Sequence, residues 1–403
     1  MNAFLAALAL QAGYNTAVVS IGAALLGASA GAIGAFVLLR KRSLVSDAIG
    51  HATLPGLAGA FILMALLTGD GRFLPGLLVG AAASAALGLV TVDWIVRRTR
   101  LGEDAAIGAV LSVFFGLGIV LLTVIQSLDV GGQAGIATYL VGSTAGMLRS
   151  EAETIAVAGL AVVAAIFVLR RPFVLVCFDP EYAATRGIDV RRTDLAMMAL
   201  LLAVTVIGLK VAGLVLIVAL TIIPPVAARF WTNRPEAMVV IAAAIGGLSG
   251  YVGTAVSSVD AALPTGALVV LFAFAAFLVS LVVSPVRGVA AAAFTRLAFR
   301  RRVHERQGLL ALAHGEPIYD GLTLKVLRRA GYIRRDGVAT LAGRGAAAAA
   351  QREEALWGLY RRLHPEEAAN ADHQGLAPLA TSLPPDVVAD LARRLAPQGG
   401  VAA

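Results

Sequence analysis

The feature that most constrains this chain is a series of long, uncharged apolar runs separated by short polar segments. An α-helix needs about 20 such residues to cross about 30 Å of hydrocarbon. Of the 403 residues, 59% are hydrophobic and only 14% are charged, and the mean hydropathy is +0.83. A soluble chain would carry more surface charge, so we predict an all-α polytopic membrane protein with eight or nine transmembrane helices. The predicted spans are 17–39, 44–67, 74–95, 105–126, 153–169, 194–209, 211–228, 237–257 and 264–286.

Three segments leave the details of this topology open. Residues 136–148 are apolar but short, which indicates a re-entrant or interfacial segment. The spans 194–209 and 211–228 are joined so tightly that we expect a hairpin, with incomplete crossing of the membrane as an open alternative. Pro224 and Pro225 lack backbone N–H donors and are predicted to break the seventh helix, either as a hinge or as a static kink.

Basic residues lie in alternate loops. They follow the first, third, fifth, seventh and last predicted spans, as in the cluster Arg40–Arg42, whereas the other loops contain few Lys or Arg residues. The positive-inside rule places the basic loops in the cytoplasm, the N-terminus outside and the C-terminus inside. The net charge of +8 is explained by this distribution and does not indicate nucleic-acid binding.

Asp47 and His51 are the ionisable residues that lie well away from the ends of the predicted spans. Such residues are costly in a bilayer, and a separation of four places both on one helix face. A carboxylate and an imidazole form half of a site for a divalent transition metal, which a second subunit, water or backbone carbonyls would complete. The alternative is structural: Ser43, Ser46 or Asp47 caps the helix, and His51 hydrogen-bonds to a neighbouring helix.

Two kinds of site are excluded by the sequence. Cys177 is the only cysteine, so the chain forms no intramolecular disulfide and no thiolate cluster. The motif G-x-x-x-x-G-K-[ST] does not occur, so the chain does not bind ATP through a P-loop.

The last hundred or so residues have a different character. Residues 301–403 are charged and carry four of the five histidines. We therefore predict two domains, a transmembrane domain over 1–300 and a small cytoplasmic domain over 301–403. The pattern in the second domain predicts a helix over 322–330, a β-hairpin turning at Asp336-Gly337, and further helices near 345–363 and 384–395.

Several motifs resemble, in the same order, the zinc/manganese/iron family of ABC transporter permeases. The first is Ser-Leu-Val-Ser-Asp-Ala-Ile-Gly-His-Ala-Thr-Leu-Pro-Gly at 43–56, which contains Asp47 and His51. The resemblance covers about residues 10–290. The other matching segments are 103–108, 131–135, 178–188, 211–229 and 263–267.

This resemblance implies the permease subunit of an ATP-binding-cassette importer in a bacterial inner membrane. A separate ATP-binding subunit would hydrolyse ATP, so the chain itself would not be an enzyme, and an extracytoplasmic metal-binding protein would deliver the ion. The permease would act as a dimer with a second copy or a paralogue, surrounded by membrane lipid. Asp47 and His51 match the family's metal ligands. The cargo would be Mn²⁺, for which the 131–135 loop is typical, or else Zn²⁺ or Fe²⁺, with no permanently bound cofactor.

Residues 178–188 resemble the segment through which such permeases contact the ATPase. Independently of the resemblance, Asp179 is predicted to cap a short helix that begins at Pro180 and is stopped by Gly187. The alternative is an ordinary solvated loop. The predicted ATPase-coupling residues are Asp179, Pro180, Glu181, Tyr182, Arg186 and Gly187.

The C-terminal domain resembles parts of iron/manganese-dependent repressors over 322–333 and 383–395. This resemblance implies a small winged-helix-like α+β domain, which we expect to be a degenerate regulatory or subunit-contact domain without nucleic-acid binding. Two other functions remain as alternatives. One is an ATP-independent secondary metal transporter, which would need buried carboxylates besides Asp47. The other is a membrane-tethered metal sensor acting through residues 301–403.

Overall fold

The computed structural model describes residues 2–11, 13–68, 73–127, 147–260, 263–370 and 378–395. The chain divides into two compact units, Met1–Ala291 and Ala292–Ala403. Most of the predicted re-entrant segment 136–148, and the whole 131–135 loop, lie outside the described residues.

The described part of the first unit is helical. Nine helical segments in the described ranges are long and apolar enough to cross a membrane, and α8 supplies two of them. This confirms the predicted polytopic helical protein. The helices are α1 (Asn2–Leu8), α2 (Tyr14–Leu39), α3 (Ser43–Thr68), α4 (Leu74–Arg98), α5 (Glu103–Ser127), α6 (Arg149–Phe178), α7 (Pro180–Thr185), α8 (Val190–Trp231), α9 (Pro235–Ser257) and α10 (Thr265–Val283).

Helix α8 contains a sharp bend that brings its two halves side by side. Gly213 has φ 73° and ψ 169°, a conformation that glycine adopts without the penalty of a Cβ. Across the bend, Cδ1 of Ile217 lies 2.6 Å from the position that a Cβ on Gly208 would take. In a continuous helix these two positions would be about 13.5 Å apart. The predicted hairpin is therefore present, and each half is 20 residues long, which is enough to cross.

The prediction that Pro224 and Pro225 break this helix is wrong. The helix continues through both prolines, and the non-helical backbone is at Gly213. Proline already has a helical φ, so its effect here is the loss of one donor to the carbonyl four residues earlier. For Pro225 that carbonyl belongs to Thr221, and it lies directly against Gly34 of α2, where any Cβ would overlap it. Close backbone packing thus covers the carbonyl that the proline leaves without a helical donor.

Helix α2 forms the centre of the first unit, where it packs against α9, α8 and α6. Its contact with α9 depends on small residues: a Cβ added to Gly27 would overlap the carbonyl of Gly246, and one added to Gly31 would overlap the carbonyl of Ala242. In lipid, where hydrophobicity does not drive helices together, this close approach supplies the van der Waals contact that holds the bundle.

The described residues of the second unit are also helical. Its core contains Trp357 and Tyr360, which pack on Leu379 and Leu391 from the later helices. The helices are α11 (Val289–His314), which begins just before the unit boundary, α12 (Gly321–Arg329), α13 (Leu341–Leu363), α14 (Pro365–Asn370), α15 (Leu379–Ser382) and α16 (Pro385–Leu395).

The predicted winged-helix-like α+β character of this unit is not supported. The chain does turn at Asp336-Gly337, but the ranges that the structure covers contain only a single antiparallel bridge, between Ile333 and Ala339. The second strand cannot extend, because the next residue, Thr340, is already the N-cap of α13 and accepts a hydrogen bond from the Gly343 N–H at 3.0 Å. The cap therefore replaces the strand.

Candidate functional site

Asp47 and His51 lie about one and two turns into α3. The adjacent residue Ser46 faces α8, where its hydroxyl is 2.6 Å from the Thr221 hydroxyl. Because each helical residue is rotated by about 100° from the one before, Asp47 and His51 point away from this contact. Asp47 lies inside α3, beyond its first turn, so it is not the residue that caps this helix.

The two side chains face each other on the outer surface of α3. Nε2 of His51 is 3.4 Å from a carboxylate oxygen of Asp47, which is longer than a good charge-assisted hydrogen bond. The side chains of His51 and Asp47 remain 24% and 39% exposed. The imidazole packs edge-on against Phe115 of α5, with the ring centroids 4.8 Å apart. The pair is held in place on one side and open on the other.

The second imidazole nitrogen of His51 gives the clearest indication of a ligand-binding site. Nδ1 of His51 is buried and has no hydrogen-bond partner among the described residues. An unsatisfied buried polar atom costs free energy, and such atoms often mark sites whose partner is a ligand or an ion. Pro55 cannot donate to the carbonyl of His51 four residues earlier, so that carbonyl lacks its usual helical donor. The arrangement offers nitrogen and oxygen donors suited to a divalent transition metal.

This donor set is incomplete within one chain. No cluster of three or more His, Cys, Asp or Glu side chains with metal-binding geometry occurs in the part of the chain that the structure describes. A transition metal takes four to six ligands, so the two side chains leave positions for water or a second subunit. The exposed side of the pair is where such ligands have access.

The segment predicted to couple to the ATPase forms the short helix α7. The carboxylate of Asp179 accepts a hydrogen bond from the Tyr182 N–H at 2.8 Å, which caps the helix. After the helix, Gly187 has φ 79° and ends it. The predicted start at Pro180 and stop at Gly187 are both confirmed.

The side chains of α7 divide into one anchor and several exposed groups. Ala183 is fully buried and fixes α7 to the unit, whereas Glu181, Tyr182 and Arg186 are exposed. The guanidinium of Arg186 lies 5.9 Å from the centre of the Tyr182 ring, within range of a cation–π interaction. The helix therefore presents a mixed charged and aromatic surface, as protein-binding surfaces often do.

An ion-pair cluster at the start of α3 and α8 was not predicted. Arg40 donates two hydrogen bonds to the Asp194 carboxylate, at 2.9 and 3.0 Å, and Arg42 lies 2.8 Å from Glu103 and 3.6 Å from Asp194. The hydrogen bond to Asp194 raises the pKa of Arg40 against the opposing effect of burial. Arg40 and Asp194 are 154 residues apart, so no local pattern pairs them.

Comparison with known proteins assigns the first unit. The family model described as the ABC 3 transport family matches residues 14–284. The chain belongs to the ABC 3 transport family. It is 41% identical over 298 residues to "Manganese transport system membrane protein MntC" of Bacillus subtilis, covering 74% of this chain and 67% of that protein. It is 35% identical over 276 residues to "Zinc transport system membrane protein TroC" of Treponema pallidum, covering 68% and 91%.

A solved structure of the same kind supports the assignment of this ABC 3 permease. PsaBC from Streptococcus pneumoniae, solved in complex with a Fab, matches with a TM-score of 0.60 and 26% identity over 70% of this chain and 95% of that chain. The protein is a metal ABC importer permease, a multi-pass protein of a bacterial inner membrane that works within a transporter complex. It is not an enzyme, and ATP hydrolysis occurs on a separate subunit. This assignment favours the ABC permease over both alternative functions.

Proposed function

We propose that this permease carries Mn²⁺ into the cell and that Asp47 and His51 bind the ion during its passage. The support for manganese is that a relative with 41% identity is named as a manganese transport protein, whereas a relative with 35% identity is named for zinc. The support for the site is the buried Nδ1 of His51, which has no hydrogen-bond partner within the described ranges. Zinc and iron are the competing cargoes, since the same donor atoms accept them.

A second permease subunit, either a copy or a paralogue, completes this site. The exposed side of Asp47 and His51 would face it. Helix α5, which contacts His51 through Phe115, also carries an exposed row of small residues. A Cβ at Gly108 or Gly116 would meet no other atom within 4 Å, so a partner helix has room to approach closely. The row consists of Ala105, Gly108, Ser112 and Gly116.

Helix α7 transmits motion from the ATP-binding subunit. Its exposed residues Glu181, Tyr182 and Arg186 form the docking surface, and the buried Ala183 passes displacement to the bundle. The support for a cytoplasmic position of this helix, with the N-terminus outside, is the distribution of basic residues among the loops. An extracytoplasmic metal-binding protein then delivers the ion to the opposite face.

Uptake of radiolabelled manganese tests both parts of this proposal. Cells that depend on this importer should lose uptake when they carry Asp47→Asn with His51→Gln, at an unchanged membrane level of the permease. The matched control makes the same chemical changes at exposed positions elsewhere, Asp386→Asn with His314→Gln, and should transport normally. Retained uptake in the first variant would exclude the ligand role.

Competition between labelled manganese and unlabelled metals in the same cells ranks the candidate cargo ions. Unlabelled manganese should displace the label at lower concentration than zinc or iron does. Equal competition by zinc would leave the metal-permease assignment intact but would make the assignment to manganese wrong.

A further inference from the structure

The first half of α11 is exposed on every side. Each residue from 292 to 302 is exposed, whereas the following turns of the helix are partly covered and Gly308 is buried against Leu327 and Thr323. A helix of this length without tertiary contacts has little stability in water, because most helical stability in proteins comes from packing. This stretch therefore needs something to cover it.

The charge of the exposed stretch is uniformly positive. The sequence contains no Asp or Glu between Arg287 and Glu305. None of the arginines in this stretch forms an ion pair with another described residue, whereas Arg306, just beyond it, pairs with Glu354. These unpaired arginines are Arg296, Arg300, Arg301 and Arg302.

Large apolar side chains are interleaved with these arginines. Phe294 and Leu297 are 72% and 60% exposed and lie three residues apart, on one helix face, and Phe299 is 44% exposed. Phosphates attract arginine, but exposed Phe and Leu gain nothing from a nucleic-acid backbone. A lipid surface suits both groups, since the apolar side chains enter the acyl boundary while arginine stems extend their charges to the headgroups.

The chain also holds this stretch close to the bilayer. The last membrane-spanning helix, α10, ends at Val283, and α11 begins at Val289. A chain extends at most about 3.3–3.6 Å per residue, so α11 begins within roughly 20 Å of the end of the span. Basic clusters that directly follow a span on the cytoplasmic side are placed to bind anionic lipid.

We propose that residues 292–302 form a binding site for anionic phospholipid headgroups. Arg296, Arg300, Arg301 and Arg302 bind the phosphates, and Phe294 with Leu297 enters the boundary between headgroups and acyl chains. The site fixes the start of the second unit to the membrane surface, and it is independent of the metal that the permease carries.

Hydrogen exchange of the importer, assembled from full-length permease and its ATP-binding subunits, tests this site in lipid nanodiscs. In nanodiscs with phosphatidylglycerol, exchange over 292–302 should be at least about tenfold slower than in phosphatidylcholine, since each arginine near an anionic surface contributes roughly fivefold. High salt should remove most of this difference in the unmodified protein, because it screens exposed charges.

A matched pair of variants distinguishes the effect of these four arginines from the effect of net charge. Changing Arg296, Arg300, Arg301 and Arg302 to Gln should abolish the lipid-dependent protection. Changing Arg329, Arg334, Arg335 and Arg344 to Gln removes the same charge from exposed positions elsewhere in the unit and should leave the protection unchanged. Unaltered exchange around Trp357 reports that each variant is folded.

Two results would overturn the proposal. Equal exchange over 292–302 in the two lipids would show that headgroup charge is not recognised. Strong protection in both lipids, present only with the ATP-binding subunits, would show that a protein covers the stretch instead.

Discussion

Two pairs in the first unit, each of a carboxylate and a nitrogen-bearing side chain, differ in how completely the protein satisfies their hydrogen bonds. Asp194 and Arg40 are joined by two hydrogen bonds of 2.9 and 3.0 Å, and their side chains are only 14% and 19% exposed. Asp47 and His51 approach to 3.4 Å, remain more exposed, and leave the buried Nδ1 of His51 without a partner among the described residues. The first pair has the geometry of a structural joint. The second has the geometry of a site that keeps donor atoms available for an ion.

The largest expected effect on stability is at Asp194. Changing Asp194 to Ala leaves Arg40 charged and half-buried, which should lower the free energy of unfolding by about 2–3 kcal/mol, somewhat below the roughly 3–5 kcal/mol for a fully buried pair. Unfolding of the purified importer in mixed micelles measures this change. The double variant Arg40→Ala with Asp194→Ala should lose less than the sum of the two single changes. Additive losses would show that the pair is not a structural joint.

A smaller effect on stability is expected at Ser46, which lies in α3 next to Asp47. Its hydroxyl hydrogen-bonds with that of Thr221, and it precedes Asp47 in α3. Ser46→Ala should lower the free energy of unfolding by about 1 kcal/mol and raise the manganese concentration that gives half-maximal uptake, because α3 is held less firmly in rotation. Ser150→Ala, at an exposed position near the start of α6, serves as the control. A loss of stability with unchanged uptake would limit Ser46 to a structural role.

The smallest effect on stability is expected at Asp47 itself. Its contact with His51 is long and exposed, so Asp47→Asn should change the free energy of unfolding by less than about 0.5 kcal/mol even though uptake falls. The same unfolding measurement applies. A loss comparable to that of Asp194→Ala would remove the distinction between the two pairs.

The sequence predicted the pair Asp47 and His51 but not the pair Arg40 and Asp194, and the reason is physical. Asp47 and His51 share one helix, so a spacing of four residues already places them on one face. Arg40 and Asp194 lie on different helices, and only tertiary packing brings them together. The same limit applies to their surroundings: the apolar runs predicted the spans, but not which faces of the helices would meet.

The two sequence-based errors concern backbone signals that tertiary structure overrides. Pro224 and Pro225 indicated a helix break, yet the bend is at Gly213. Its positive φ is favourable only for a residue without a Cβ. Asp336-Gly337 indicated a hairpin, and the turn exists, but the cap at Thr340 starts a helix before strands can pair. The prolines thus did not break the helix, whereas the turn did form and only its extension into strands was prevented by the following helix.

The most direct test of the metal site is electron paramagnetic resonance of Mn²⁺ bound to an ATPase-inactive form of the assembled importer. We predict magnetic coupling between the ion and an imidazole nitrogen, lost in His51→Gln and retained in the control His314→Gln. An unchanged nitrogen signal in His51→Gln would mean that the ion binds elsewhere, and Asp47 and His51 would then have no role as metal ligands.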